Sequence, residues 1–235
     1  MEQYYKIAGL TVKMDSFGRT VQQAEPYLCE PCEKPDILIQ TDWKVMQADQ
    51  PHLSEEDCEY MCTAGSFYYH LLQHNGLMLH SSAVVVDGWA YLFSAPSGTG
   101  KSTHTGLWLQ NFGERAYILN DDKPALRQED GVWYAYGTPW SGKYDISVNA
   151  RVPLAGIAII ARAEKNRIAP ISGTDAIFAM LDQTVRPADK ALRSLLLENL
   201  DKLLSQVPVW MLHCNMDPEA AQVSYNAMYS GRQKV

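Results

Sequence analysis

The chain has 235 residues, enough for one sizeable domain or for one domain with a small appendage. Its hydrophobic fraction of 46% and charged fraction of 20% are those of an ordinary globular protein. The formal net charge of −7 argues against nucleic acid or an anionic membrane as the main partner, because both need a basic face. A local basic pocket for phosphate is compatible with this balance.

No apolar run approaches the roughly 18–20 residues that span a bilayer. Met1–Lys6 lacks a basic region followed by an apolar one, so no signal peptide is expected and the cytoplasm is the expected location. Tyr4–Val12 alternates well enough to read as a strand, and Asp36–Gln40 is a second strand candidate. The connection between them is polar and contains proline and cysteine. Residues 1–50 thus read as a small β-rich subdomain, and 51–235 as the main domain.

Five cysteines form an odd set, which argues against a disulfide scaffold. Cys29-Glu30-Pro31-Cys32 is a CxxC, and Cys58 and Cys62 share a face if their segment is helical. Together they could hold zinc. The plainer alternative is reduced thiols in a loop and on a buried helix face.

Ser54-Glu55-Glu56-Asp57 has the form of a helix N-cap with acids in the first turn. The helix is expected to run to about His74 and to stop at Asn75-Gly76. Leu77–Val86, a turn at Asp87-Gly88, and Trp89–Phe93 read as a β-hairpin. A helix follows over Thr103–Phe112, then strands over Ala116–Leu119 and Val132–Tyr136, the latter reached through Asp130-Gly131. The apolar run Ala155–Ala161 fits a buried central strand. Helices are expected over Thr174–Leu181 and from Pro187 to about Gln206. A strand is expected over Val209–His213, and a last helix from Asp217-Pro218 to near Tyr229. Hairpins and helical crossovers together imply an α/β fold with a mixed sheet.

Between the hairpin and the first of these later helices lies Ser94-Ala95-Pro96-Ser97-Gly98-Thr99-Gly100-Lys101-Ser102-Thr103. A strand, a small-residue loop and a helix in this order make a phosphate-binding P-loop. The small residues let consecutive backbone N–H groups converge on phosphate oxygens. Ser97, Gly98, Thr99, Gly100, Lys101, Ser102 and Thr103 are therefore the candidate nucleotide-binding residues. Lys101 would reach the β/γ-phosphates, and the Ser102 hydroxyl would ligate Mg²⁺. Ala95 stands where the Walker A pattern has its first glycine, so the start of the loop is expected to differ.

Asn120-Asp121-Asp122 follows an apolar run, about where a Walker B acid falls. Phosphoryl transfer needs a carboxylate on or near Mg²⁺ and often another that takes the nucleophile's proton. Adjacent acids at a strand end can split these roles, because successive side chains point apart. An Asx-rich turn is the structural alternative. Gly137–Lys143 is a loop that either covers a site or merely turns. Arg151 and Arg186 are candidate phosphate donors, since guanidinium suits bidentate contacts, with surface charge as the alternative. His80 reads as a satisfied core histidine, and His104 as a helix residue beside bound phosphate.

These motifs resemble the HPr kinase/phosphorylase catalytic domain and its relatives, which share the phosphoenolpyruvate carboxykinase nucleotide-binding core. Leu79–Phe93 resembles that family's histidine-bearing strand and hairpin, Ser97–Ser102 its short P-loop, and Leu119-Asn120-Asp121-Asp122 its Asp-Asp motif. Arg151–Ile160 resembles the family signature, and Val185-Arg186-Pro187 a C-terminal family loop. The better match is to the smaller HPr-kinase-like proteins, some of which accompany peptide-modification genes. The resemblance covers residues 77–215 and implies a P-loop core of that type. It also implies that Asp121 is the catalytic base, that Asp122 helps hold Mg²⁺, and that the cofactors are ATP and Mg²⁺.

The resulting expectation is a kinase acting on a serine-type hydroxyl of a peptide, a protein or a small molecule. Lys101, Asp121 and Arg151 or Arg186 would act in catalysis, and Ser102 and Asp122 would hold the metal. A homo-oligomer is compatible with the same reading. A carboxykinase-like enzyme and a non-catalytic nucleotide-sensing module are the alternatives.

Overall fold

The computed structural model describes residues 2–230. The chain opens on a hairpin of β1 (Glu2–Ile7) and β2 (Leu10–Asp15). The single strand expected over residues 4–12 is therefore two. Ala8 and Gly9 make the turn with φ values of 50° and 76°. Such a turn favours Asn-Gly or Asp-Gly, and an alanine in its first position hides the signal. After α1 (Gly18–Ala24) the chain reaches β3 (Ile37–Ile39), which adds in parallel to β2 and completes a small three-stranded sheet.

A short α2 (Trp43–Asp49) leads to α3 (Glu55–Leu71). Ser54 Oγ accepts from the Asp57 amide at 3.1 Å, so the N-cap forms where the sequence places it. A short 3-10 turn over Leu72–His74 extends α3, and Asn75 stops the chain in the left-handed conformation, with φ 55°. Tyr5, Ile7, Val12, Met14 and Ile37 are buried against Phe67, Tyr68 and Leu71 of α3. The same cluster continues into Tyr136 and Trp140, so the packing runs on across residue 50.

Glu59 of α3 is almost fully buried beside α1 and accepts from Thr20 Oγ1. Burial pushes its carboxyl up to about 7; the Thr20 and Phe17 hydrogen bonds lower it less, and Asp15 and Glu56 raise it further. The unfolded chain releases this proton near 4.5 and the folded chain near 7. Between those values the folded state binds more protons, so stability falls as pH rises. Glu59→Gln is expected to raise the melting temperature at pH 8, relieving up to about 3 kcal/mol, and to change it little at pH 4. Equal shifts at the two pH values would refute this.

The rest of the chain builds a nine-stranded mixed sheet among the described residues. Its elements are β4 (Gly76–Met78), β5 (Ser81–Val86), β6 (Trp89–Ser94), α4 (Lys101–Phe112), β7 (Ala116–Asn120), β8 (Ala125–Glu129) and β9 (Val132–Tyr136). They continue with β10 (Arg151–Arg162), β11 (Arg167–Pro170), α5 (Gly173–Leu181), α6 (Lys190–Gln206), β12 (Val209–Cys214) and α7 (Glu219–Ser230). The main path is β4-β8-β9-β10-β6-β5-β7, with β12 beside β10 and β11 beside β12. The strand expected over 77–86 breaks at Leu79-His80, because β4 pairs with β8 while β5 pairs with β6 and β7. β10 is the hinge of the curl: its first residues pair with β9, and the rest pair with β6 and β12.

α5 and α6 cover one face of the sheet, burying Ala176, Met180, Leu196, Leu200 and Leu203 with Leu92, Ile157 and Val209. α4 and α7 cover another, burying Trp108, Ala220, Ala221 and Met228 with Tyr91, Phe93 and Leu212. β5 runs antiparallel to both β6 and β7, and β6 is parallel to β10, which is parallel to β12. The carboxyl ends of β6, β7, β10 and β12 and the start of β5 therefore meet at one edge. Crevices at such an edge are where open α/β sheets bind ligands.

Candidate functional site

Residues 95–100 leave β6 at that edge and enter α4. The left-handed positions fall on Gly98 (φ 77°) and Gly100 (φ 121°), where glycine carries no steric penalty. Ala95 is fully buried and is not among the residues with positive φ. The missing first glycine therefore costs the backbone nothing. Gly100 caps α4, and the first amides of that helix have no partner within it. They give the turn a partial positive charge.

A pocket of about 470 Å³ opens in front of this turn, lined by Ser97, Gly98, Gly100, Lys101, Ser102 and Thr103 on one side. Asp121 and Asp122 line it from the end of β7, His80 from the start of β5, and Ser141–Tyr144 from the loop after β9. A larger cleft of about 680 Å³ lies along β2, β3 and Trp43 and contains none of the motif residues. The smaller pocket is the candidate, because it gathers a glycine-rich turn, a helix N-terminus, a lysine and two carboxylates.

Lys101 is mostly buried, and its Nζ donates to the Ala95 carbonyl at 2.8 Å. Burial lowers its pKa, while Asp122 and Asp121 act to raise it. An ammonium has three donors, so this bond leaves capacity for an anion. Asn120 shapes the turn that carries the acids. Its Oδ1 accepts from the amides of Asp122 at 3.0 Å and Lys123 at 2.7 Å. Its Nδ2 donates to the Thr138 carbonyl at 3.1 Å.

The two carboxylates then face different partners. Asp121 is buried and accepts from Ser82 Oγ at 2.6 Å, while Ser82 also meets Thr105 of α4 at 2.9 Å. Asp122 lies 3.1 Å from His80 Nε2 and contacts Lys123 Nζ. Burial pushes the Asp122 carboxyl up, but the His80 hydrogen bond and the Lys123 ammonium outweigh it and hold the group at about 2. It is ionised at neutral pH. The Asx turn and the split carboxylates are thus the same piece of chain.

His80 is not a core histidine. It is partly exposed in the pocket wall and fixed by Gln183 Oε1, 3.0 Å from its Nδ1. His104 is the buried one. Its Nε2 lies 3.0 Å from Ser224 Oγ of α7, and burial lowers its pKa to about 4, so it stays neutral. It joins two helices.

Arg151 and Arg186 are outside the pocket. Arg151 starts β10, at the opposite end of that strand from the site. Its guanidinium is bound to Glu129 at 2.7 Å and lies over the Tyr134 ring, with 4.6 Å to the centroid. Arg186 is largely exposed and pairs with Asp182 at 3.2 Å. The structure does not bring either arginine to the pocket: their partners are local acids, and Lys143 is a further cation in the pocket lining. Nor do the four cysteines assemble. Cys29 and Cys32 are partly exposed, Cys62 lies 3.9 Å from the Met46 sulfur, and no group of three or more His, Cys, Asp or Glu among the described residues is placed to hold a metal ion.

Arg19 is the contact that local sequence patterns do not show. It reaches from α1 to the Gly142 carbonyl and to Asp145 Oδ1 at 2.6 Å, over the Tyr60 ring at 4.3 Å. Gln23 joins the same Asp145, and Tyr27 meets Ser147 at 2.9 Å. The loop so held packs onto Asp122: a Cβ on Gly142 would lie 2.8 Å from the Asp122 Cβ. The N-terminal segment therefore supports the pocket wall from behind.

The fold and its edge site define an α/β protein with a curled mixed sheet and a small N-terminal sheet. The model of the family described as SynChlorMet cassette protein ScmC matches residues 54–220, and the chain belongs to that family. A search of curated proteins returns no match. Among solved structures, the Hpr(Ser) kinase/phosphatase from Coxiella burnetii is similar at 14% identity and a TM-score of 0.38, covering 65% of this chain and 97% of that one. A likeness of that size says nothing about activity. No helix of the described residues is long and apolar enough to cross a membrane.

Proposed function

We propose that the protein is an ATP- and Mg²⁺-dependent phosphotransferase with a P-loop core of the HPr kinase/phosphoenolpyruvate carboxykinase type. It transfers the γ-phosphoryl group to a serine-type hydroxyl of a peptide, a protein or a small molecule. The observation that carries this is the pocket in which the Ser97–Thr103 turn and Lys101 face Asp121 and Asp122. The donor set fits a hard divalent cation: Asp122 is an ionised carboxylate and Ser102 a hydroxyl at the helix start. When bound, Mg²⁺ would be held by Ser102 and Asp122 and would offset negative charge on the phosphates.

The chain's own groups do the rest. Backbone amides of Gly98–Thr103 and the Lys101 ammonium bind and orient the triphosphate. Lys143 offsets charge that builds on the transferred group. Asp121, held by Ser82, accepts the proton of the acceptor hydroxyl. The hydroxyl oxygen bonds to the γ-phosphorus as the bond to the bridging oxygen breaks. ADP and a phosphate monoester leave, and the proton passes from Asp121 to water.

The test is incubation with γ-labelled ATP, Mg²⁺ and a panel of free serine, serine-containing peptides and an HPr-like protein. Acceptor-dependent label transfer is expected for at least one class. Tight nucleotide binding with no transfer and no turnover would replace the kinase with a nucleotide-sensing module.

A further inference from the structure

Three consecutive residues of α1 rest on α3. Gly18 abuts Glu56, whose Cγ would lie 2.6 Å from a Cβ added to the glycine. The Arg19 guanidinium lies over the Tyr60 ring, with 4.3 Å to the centroid. Thr20 is fully buried and donates from Oγ1 to Glu59 Oε2. Glu59 is 1% exposed, and its Oε1 is buried without a hydrogen-bond partner among the described residues. The titratable groups that face Glu59 are Tyr5 of β1, Asp15 at the end of β2, and Glu56 and Cys62 of α3. Thr20 and the Phe17 amide are donors to it. Burial disfavours the charged carboxylate, and Asp15 and Glu56 add like charge.

The same short helix grips the pocket wall. Arg19 Nη2 donates to the Gly142 carbonyl and to Asp145 Oδ1, and Gln23 Nε2 donates to that same Oδ1. Gly142 is packed on Asp122, and Gly142–Tyr144 line the pocket. Tyr60 Oη accepts from the Gly142 amide at 3.3 Å, so α3 reaches the wall without α1 at this one amide. Burial pushes the Tyr60 phenol up to about 12, so that bond does not titrate near neutrality. The Glu59 carboxyl titrates at about 7 in the folded chain against 4.5 in the unfolded one. Its hold on α1 is therefore complete below about 4.5 and is lost as pH rises to about 7.

We propose that proton release from Glu59 undocks α1 from α3, withdraws Arg19 and Gln23 from Asp145, and slackens the 142–147 wall of the pocket. The pocket is thus regulated by a proton bound outside its own lining. Its affinity for Mg²⁺·ATP falls as pH rises through neutrality. That consequence rests on the reading of the pocket as a nucleotide site, whereas the movement of the wall does not.

Amide hydrogen exchange of the full chain at pH 5.5 and 7.5, corrected for the intrinsic pH dependence, tests the movement. In the wild type, protection over 18–24 and over 142–147 should fall together by about tenfold, within what the linkage allows. Glu59→Gln keeps an acceptor for Thr20 and cannot ionise. Its protection should change by less than about twofold. Arg19→Met should keep the fall over 18–24 and reduce that over 142–147 to less than about threefold. Affinity for Mg²⁺·ATP, measured at the same two pH values, should fall about threefold or more in the wild type and stay within about twofold in Glu59→Gln. Equal falls in protection in the wild type and Glu59→Gln would overturn the proposal, as would a fall over 18–24 that leaves 142–147 unchanged. Absence of ATP binding at both pH values, with the exchange pattern as expected, would overturn the nucleotide reading and leave the coupling standing.

Discussion

Asp121→Asn is expected to lower phosphoryl transfer by roughly 10²- to 10⁴-fold, the usual worth of a positioned general base, and to leave Mg²⁺·ATP affinity within about threefold. The reason is the split between the two acids. Asp122 is tied to the His80 ring and to the Lys123 ammonium and stays ionised far below neutral pH. Asp121 accepts on its Oδ1 from the Ser82 hydroxyl, at 2.6 Å. Asparagine keeps that acceptor and the shape but cannot take a proton. Single-turnover transfer and equilibrium nucleotide binding, measured on the same preparation, separate the two effects. Equal loss of rate and affinity would show that Asp121 holds the metal and would end the division of roles. Asp122→Asn should do the reverse, losing affinity for the metal-bound nucleotide first.

The largest loss of stability is expected at Trp140. It is fully buried, stacked on Phe67 with centroids 5.0 Å apart, and donates from Nε1 to Thr63 Oγ1 at 3.2 Å. Trp140→Ala removes that ring from a close-packed site and should cost about 3–5 kcal/mol. That is a large part of the 5–15 kcal/mol typical of a whole domain. Trp140→Phe keeps the stack, loses the indole donor, and should cost well under half as much. Urea denaturation with an unchanged slope would check both values. A loss below about 1 kcal/mol for the alanine variant would mean that the loop is not anchored here. The position matters beyond stability, because Trp140 directly precedes the pocket-lining Ser141–Tyr144.

Most of what could be read from the sequence was local. The Ser54 cap, the Asp87-Gly88 turn, the glycine-rich turn before α4 and the acids after β7 each depend on a few neighbouring residues. Each lies where the spacing puts it. β8 was not legible, because Arg127, Gln128 and Glu129 give its second half a polar face and only Ala125 and Leu126 are buried. β10 runs four residues beyond the expected start, through Pro153, because the curl pairs its first residues with β9. The placement of Arg151 and Arg186 was hidden for the opposite reason: an arginine's chemistry is legible, but its nearest acid is not. Arg19 meets Asp145 across 126 residues, and no periodicity reports such a contact. His80 took its meaning from a break in a strand that looked continuous.

The claim on which the account rests is that the Ser97–Thr103 turn binds the phosphates of a nucleotide. Calorimetric titration of Mg²⁺·ATP into the wild type and into Lys101→Met tests it directly. The account predicts one site per chain in the wild type and an affinity roughly 10- to 100-fold lower in the variant, the worth of a charge-assisted hydrogen bond. Equal affinity in the two proteins, or no heat of binding in the wild type, would contradict it.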